Sequence, residues 1–304
     1  MQTSHDVVIV GGSFAGLAAA LQLGRARRKV LLVDAGQPRN RFAAHSHGLL
    51  GHDGKPPREI LREAAAQIAA YSTVEIVDGY AERAQKEADG RFTVALSNDL
   101  RISASRLILA TGVTDQLPPL PGLEARWGAT VFACPYCHGY EFRDRQLGVL
   151  ANHAISAHHG ILVPDWGPTT YFTQGVFEPD EAQTAQMTAR GARIERVPVV
   201  ELLGAAPALE AVKLADGRVV PIDALLTAPR FHQSSPLAEQ LGCEFEAGPL
   251  GALVKVDNFK HTTIEGVYVP GDASSPMASV TFASAAGAMA GFAVHQSLVM
   301  GYAH

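Results

Sequence analysis

The sequence predicts an α/β fold in two domains, the first of them split into two pieces around the second. Three observations predict it. The apolar run Asp6–Val10 ends in Gly11-Gly12, leads into helix-forming residues over Ala15–Arg27, and is followed by a second apolar run, Lys29–Val33, closed by Asp34; this is the pattern of a β-α-β unit. A second unit of the same kind begins near Leu147. Breakers bracket that second unit, at Gln116–Gly122 and at Ala228-Pro229. The expected boundaries are therefore 1–116 and 231–304 for the split domain and 117–230 for the inserted one.

The remaining elements follow in order. Helical spacing returns at Pro57–Ala70, and Thr73–Val77 reads as a strand. Alternating residues over 80–104, with turn pairs Asp89-Gly90 and Asn98-Asp99, predict a hairpin addition. Leu107–Ala110 reads as a further buried strand, the stretch 192–227 as strand-rich, and Val267–Val269 as a strand before a long C-terminal helix. That helix, Thr281–Met300, is apolar enough to be read as buried, and its Gly287, Gly291, His295 and Gln296 argue against a membrane span.

Composition narrows the function. The chain has 304 residues, 47% hydrophobic and 18% charged, with a formal net charge of -5; a nucleic-acid binder would carry a basic excess. The one basic cluster, Arg25, Arg27, Arg28 and Lys29, reads as a helix end. Three cysteines are too few for a disulfide scaffold. Met1–Asp6 lacks the basic region of a signal peptide. A reducing, cytoplasmic setting is expected.

Gly11-Gly12-Ser13-Phe14-Ala15-Gly16 joins the first strand to the first helix. Gly11 permits the tight turn and Gly16 the close helix–strand packing, while Ser13 replaces the middle glycine with a small residue that still leaves room for a pyrophosphate. The helix N-terminus favours the phosphate charge. Asp34, at the end of the next strand, is placed to accept from a ribose hydroxyl. These residues indicate a dinucleotide site without saying which dinucleotide.

Cys134-Pro135-Tyr136-Cys137 is a C-x-x-C motif followed by His138. Zinc would require two more ligands, for which only His158-His159 offer themselves. A structural disulfide is disfavoured by a reducing compartment. A redox dithiol suits the spacing: one thiolate attacks and the other resolves. His138 is a candidate general base, since an imidazole with an ordinary pKa of about 6.5 accepts a proton near neutrality. Cys243 stands alone and reads as a small buried hydrophobe.

In the second unit the glycine positions hold Ala151, His153 and Ser156. An imidazole at the middle position occupies the space a pyrophosphate needs. The segment Thr170–Gly175 supplies neither basic residues for a 2′-phosphate nor an acid for a 2′-hydroxyl. Neither NADPH nor NADH has its usual site, although weak nicotinamide binding without the fingerprint stays open.

Gly11–Gly16, Ala110-Thr111-Gly112, Val269-Pro270-Gly271-Asp272 and the cysteine pair together resemble the low-molecular-weight thioredoxin reductase family, over essentially the whole chain. The resemblance implies a two-domain Rossmann-like flavoprotein disulfide oxidoreductase with FAD as cofactor. It implies FAD contacts at Gly11, Gly12, Ser13, Phe14, Ala15, Gly16, Asp34, Ala35, Asn40, His47, Asp53, Ala81, Ala110, Thr111, Gly112, Gly271, Asp272, Ser279 and Val280. Gly271 and Asp272 would hold the pyrophosphate and ribityl chain, with Ser279 and Val280 beside the ring. His45, His47 and Asp53 would contact flavin or substrate. Cys137 would be the thiol next to the flavin and Cys134 the one that meets the substrate. The stretch Cys-Pro-Tyr-Cys-His-Gly-Tyr-Glu, from Cys134 to Glu141, and the altered second unit further resemble the dithiol oxidases of gliotoxin and holomycin biosynthesis, which implies a small dithiol or a thioredoxin-like protein as substrate, oxygen or ferredoxin as electron partner, and a homodimer. An NADPH- or ferredoxin-linked thioredoxin reductase and a non-catalytic flavin-bound sensor are the competing readings.

Overall fold

The computed structural model describes residues 4–301. Met1–Thr3, the start of the segment read above for a signal peptide, lie outside it. The chain forms two compact units. Unit 1 comprises residues 1–39, 58–114 and 231–304, and unit 2 residues 40–57 and 115–230.

Unit 1 opens with β1 (Ser4–Val10), α1 (Phe14–Arg25) and β2 (Val30–Asp34), then α2 (Pro57–Ala69) and β3 (Val74–Asp78). A meander follows, β4 (Ala81–Lys86), β5 (Phe92–Leu96) and β6 (Arg101–Leu109), after which β7 (Val113–Gln116) leaves the unit. The strands hydrogen-bond in the order β3-β2-β1-β6-β5-β4. β1, β2, β3 and β6 run parallel, whereas β4, β5 and β6 pair antiparallel. The hairpin addition and the separate strand expected at Leu107–Ala110 thus share one nine-residue strand, β6. Its first half alternates in exposure along the meander, and its second half, inside the parallel sheet, is buried throughout. Gly90 and Asp99 turn the meander in the left-handed region, at φ 83° and 63°.

Unit 2 carries β8 (Val131–Phe132), α3 (Pro135–His138), β9 (Leu147–Leu150), α4 (Ile155–Leu162), β10 (Thr169–Phe172), α5 (Glu181–Ala189) and β11 (Arg193–Glu195). Then come β12 (Val199–Leu203), β13 (Ala211–Leu214), β14 (Val219–Pro221) and β15 (Ala224–Leu226). The sheet β11-β10-β9-β15-β8 is parallel, and β12-β13-β14 form a separate antiparallel sheet. α5 starts on a full capping box, Asp180 accepting from Gln183 N–H while the Gln183 side chain accepts from Asp180 N–H. Core side chains of the parallel sheet include Val149, Tyr171, Phe172 and Leu226, all fully buried.

The return strand β16 (Arg230–Gln233) leads to α6 (Leu237–Gln240), the hairpin β17 (Phe245–Ala247) and β18 (Ala252–Val254), then β19 (Val267–Tyr268) and α7 (Val280–Met300). β19 adds to β6 in parallel. α7 packs along α1 so closely that a Cβ on Gly287 would lie 2.0 Å from the Ala15 carbonyl oxygen, and one on Gly291 3.0 Å from that of Ala19. The helix is not buried all round as its composition suggested. Ala290, Ala293 and Val294 face the core, while Phe282, Met289, Phe292, Val299 and Met300 are exposed. Among the described residues no helix is long and apolar enough to cross a membrane.

Candidate functional site

Unit 1 builds a phosphate cradle at the mouth of its parallel strands. Gly11 follows β1 at φ 105°, and a Cβ there would lie 2.3 Å from the Ala110 carbonyl oxygen at the end of β6. A Cβ on Gly16 would lie 1.8 Å from the Gly11 carbonyl. Both positions therefore admit only glycine, and their backbones close the turn over the sheet. Gly12 N–H donates to Asp34 Oδ1 at 3.0 Å, which fixes the carboxylate at the end of β2 and leaves its other oxygen to accept. Ser13 is the N-cap of α1 and its side chain makes no cap hydrogen bond, so the first helical N–H groups are left for an anion.

The late motif converges on the same place. Gly271 has φ 84°, and a Cβ on it would sit 3.2 Å from Ala15 Cβ in the first turn of α1. Asp272 Oδ2 accepts from Arg39 Nη1 at 2.8 Å, a pair formed across 233 residues that sequence reasoning missed. Ser279 caps α7, its hydroxyl accepting from Phe282 N–H at 3.0 Å. A cleft of about 320 Å³ opens beside these residues, with Gly271, Asp272, Ser274, Met277, Phe282 and Met289 in its wall. Thr111 and Gly112 follow Ala110, Val280 begins α7, Ala81 is buried at the start of β4, and Ala35 is exposed after Asp34. The glycine-only turn, the uncapped helix start and a fixed acid at the strand end fit the pyrophosphate and ribose of FAD. Gly11–Gly16 would hold the former and Asp34 the latter, and the bound flavin supplies a two-electron acceptor.

Asn40, His45, His47 and Asp53, expected among the flavin or substrate contacts, belong to unit 2. Asn40 Oδ1, Ser46 Oγ and His52 Nδ1 in this segment are buried without hydrogen-bond partners. His47 stands between two carboxylates, with Nδ1 3.5 Å from Asp53 Oδ1 and Nε2 3.5 Å from Glu141 Oε1. Glu141 ends the Cys134–Glu141 stretch that carries the resemblance, but no role was expected of it.

Cys134 and Cys137 form a disulfide with Cα atoms 5.3 Å apart, as i and i+3 at the start of one short helical turn allow. Tyr136 between them is exposed and meets Trp166 edge-on at 5.5 Å. The His138 ring lies on Phe132, centroids 5.1 Å apart, and neither of its nitrogens has a partner. Burial pushes its pKa below the ordinary histidine value, Glu141 acting in the opposite direction and His47 in the same one. A neutral imidazole with both nitrogens uncommitted can accept a thiol proton. Cys243 is buried, and burial raises its thiol pKa. Among the described residues no group of three or more His, Cys, Asp or Glu could hold a metal.

In unit 2 the turn from β9 to α4 has the topology of the cradle but different chemistry. His153 Nε2 lies 2.7 Å from the Ala228 carbonyl, and His153 Nδ1 accepts from Ile155 N–H at 3.2 Å. Ser156 Oγ accepts from Asn152 N–H at 3.0 Å and from His153 N–H at 3.5 Å. Side chains of the turn thus occupy the N–H groups that a second pyrophosphate would use.

Fold and site define an oxidoreductase with a dinucleotide cradle in one unit and a C-x-x-C disulfide in the other. A family model described as pyridine nucleotide-disulphide oxidoreductase matches residues 5–155. The thioredoxin reductase tcpT of Claviceps purpurea is 30% identical over 303 residues, 96% of this chain and 94% of that one. The solved structure of an oxidoreductase from Agrobacterium tumefaciens is 48% identical with a TM-score of 0.94, covering 99% of this chain and all of that one. The crystal structure of HlmI is 34% identical with a TM-score of 0.92, covering 99% of this chain and 95% of that one. The chain belongs to the pyridine nucleotide-disulphide oxidoreductase family, among its thioredoxin-reductase-like flavoproteins, and its cofactor is FAD.

Proposed function

We propose that this chain is a dithiol oxidase: a substrate dithiol reduces the Cys134–Cys137 disulfide, the electron pair passes to FAD, and oxygen takes it from there without a nicotinamide nucleotide. The observation that carries the reading is the contrast between two β-α-β turns. The turn at Gly11–Gly16 leaves its helix N–H groups uncapped, whereas the turn at Ala151–Ser156 ties them to His153 and Ser156. A pyrophosphate entering the second turn would have to break those bonds and displace an imidazole. Electrons therefore need another route, and reduced flavin reacts with oxygen directly.

In the exchange step, His138 takes the proton of a substrate thiol, and the resulting thiolate attacks one sulfur of the pair. The mixed disulfide is resolved by the second substrate thiol. The product is the substrate disulfide, and Cys134 and Cys137 are left as thiols. The exposed apolar residues Phe282, Met289 and Phe292 on α7 support a homodimer through that helix. One redox pair and one buried thiol suit a reducing cytoplasm.

The test is oxygen uptake by the FAD-loaded protein with dithiothreitol, with hydrogen peroxide assayed as product, against the same protein with NADPH. Rapid flavin reduction by micromolar NADPH would return the protein to the NADPH-linked thioredoxin reductases. Reduction by dithiol with reoxidation over many minutes would point instead to a protein electron carrier such as ferredoxin.

A further inference from the structure

Arg91, in unit 1, is a half-buried cation held without an acid. Its guanidinium donates from Nε to Ser103 Oγ at 2.9 Å and from Nη1 to Ser105 Oγ at 3.0 Å. Nη2 donates to Ser4 Oγ at 2.6 Å and to the His5 carbonyl at 3.4 Å. Among the described residues no carboxylate forms an ion pair with this guanidinium. The acids nearest in sequence are committed to backbone: Asp89 Oδ1 accepts from Arg91 N–H at 3.0 Å, and Asp6 Oδ2 from Lys29 N–H at 2.9 Å. A second cation lies alongside. Arg106 Nη1 donates to the Ser105 carbonyl at 2.9 Å, and its other bonds go to Ser297 on the last turn of α7.

The sheet register builds this cluster. Gly90 turns the chain at φ 83°, and the Asp89 side chain fixes Arg91 just ahead of β5. Phe92 pairs with Ala104, which lies between Ser103 and Ser105 on β6, and Ser4 of β1 pairs with Ser103. Three hydroxyl oxygens thus stand within 3.0 Å of one guanidinium. Each accepts from Arg91 and keeps one O–H to donate. Among the described residues none of the three has an acceptor for it. Nη1 carries two N–H groups and donates one. A cross-strand staple requires the bonds that are made; it does not require four donors left over beside an unbalanced positive charge. The place is also distinct from the flavin cradle. Ser4 opens the seven-residue β1 and Gly11 follows its last residue, a separation of roughly 23 Å at about 3.3 Å per residue.

We propose that Arg91, Ser4, Ser103 and Ser105 form a binding site for a tetrahedral oxyanion, either inorganic phosphate or the phosphate group of a small monoester. The oxyanion accepts the three hydroxyl protons and the remaining Nη1 proton, and its charge balances the guanidinium. Bonds of this charge-assisted kind are the strong ones. The hydroxyls are already held by Arg91, so little side-chain freedom is lost on binding. The site is independent of the redox chemistry of Cys134–Cys137.

The test uses the FAD-loaded full chain, whose flavin fills the other phosphate cradle, in a low-salt buffer free of phosphate. Calorimetric titration with inorganic phosphate and, separately, with ribose 5-phosphate should show one site per chain. Tighter binding of the ester assigns the site to a phosphomonoester; tighter binding of the free ion assigns it to phosphate itself. Arg91→Met should weaken binding at least about 10-fold, as loss of hydrogen bonds to a charged group does. Ser103→Ala and Ser105→Ala together should weaken it by a similar factor with Arg91 still in place. Flavin absorbance reports whether each variant keeps its fold, and the serine variant decides the matter if Arg91→Met does not. Phosphate should also raise the wild-type Tm, and chloride at matched ionic strength should not. A purely structural Arg91 would lower Tm in the variants and leave phosphate binding as it was. That result, a chloride effect equal to that of phosphate, or a wild type that responds to neither phosphate nor ester would overturn the site.

Discussion

His153 Nδ1 accepts the N–H of Ile155 at 3.2 Å, so the first residue of α4 is capped by the side chain that stands where its phosphate-binding counterpart has glycine or serine. The other nitrogen is held by the Ala228 carbonyl at 2.7 Å, which fixes the tautomer: Nε2 carries the proton and Nδ1 accepts. Burial lowers the His153 pKa, in keeping with a neutral ring in this role.

Flavin reduction by NADPH should accordingly be at least about 100-fold slower than by dithiothreitol at equal concentration, a barrier difference of about 2.7 kcal/mol. Stopped-flow bleaching near 450 nm under anaerobic conditions measures both. His153→Gly alone should leave NADPH reduction slow, because Ser156 still occupies Asn152 N–H and no basic side chain follows β10.

The cradle of unit 1 should tolerate no side chain at Gly16, where a Cβ would lie 1.8 Å from the Gly11 carbonyl oxygen. Gly16→Ala should purify with little or no FAD. Asp272→Ala should lose about 10-fold or more in FAD affinity through a lost charge-assisted hydrogen bond, read as flavin released on dilution. Gly287→Ala, packed against the Ala15 backbone behind the cradle, should lower Tm through overpacking of about 1–3 kcal/mol against α1. If Gly16→Ala retained full flavin content, the backbone-contact account of this turn would be wrong.

The local parts of this site were legible in the sequence, because their signals lie within a few residues. Gly11, Gly16 and Asp34 mark a strand–turn–helix–strand, and Cys134, Cys137 and His138 lie within one turn. The long-range pairs were not. Arg39 meets Asp272, and His47 meets Glu141, only once the chain is folded; Arg39 sits in no pattern, and Glu141 closes the Cys134–Glu141 stretch without anything there that names His47 as its neighbour. β6 was read as two elements because its pattern changes from alternating to continuous where its surroundings change from meander to parallel sheet. α7 was read as buried because exposed Phe282, Met289 and Phe292 are indistinguishable in composition from core residues.

The exchange rate should reveal His138 through its pH profile. Its pKa lies below the ordinary histidine value, so the neutral ring persists as pH falls through 6.5. Anaerobic reduction of the Cys134–Cys137 disulfide by dithiothreitol, counted by maleimide labelling of the two cysteines, should therefore hold up below pH 6.5. His138→Ala should lose about 100-fold near pH 7. It should recover as pH approaches thiol pKa values of about 8.5 and above, where thiols ionise unaided. An equal loss at all pH values would mean that His138 acts only through packing on Phe132.

Acid should weaken the fold through His159. This ring is largely buried on α4, its Nδ1 has no hydrogen-bond partner, and burial, with lesser contributions from His158 and His153, lowers its pKa to about 4. In the unfolded chain the same ring titrates near 6.5. Between those values the unfolded state binds the proton and the folded state does not, so stability falls as pH drops from 6.5 towards 4 and is flat above that window as far as His159 is concerned. The cost reaches about 3 kcal/mol at the low end, at about 1.4 kcal/mol per pKa unit. His153 adds to it with the same sign. His159→Leu should keep Tm at pH 7.5 within a few degrees of wild type and remove much of the decline between pH 6.5 and 4.5, measured by calorimetry on the FAD-loaded protein. An unchanged pH dependence in His159→Leu would place the acid sensitivity elsewhere.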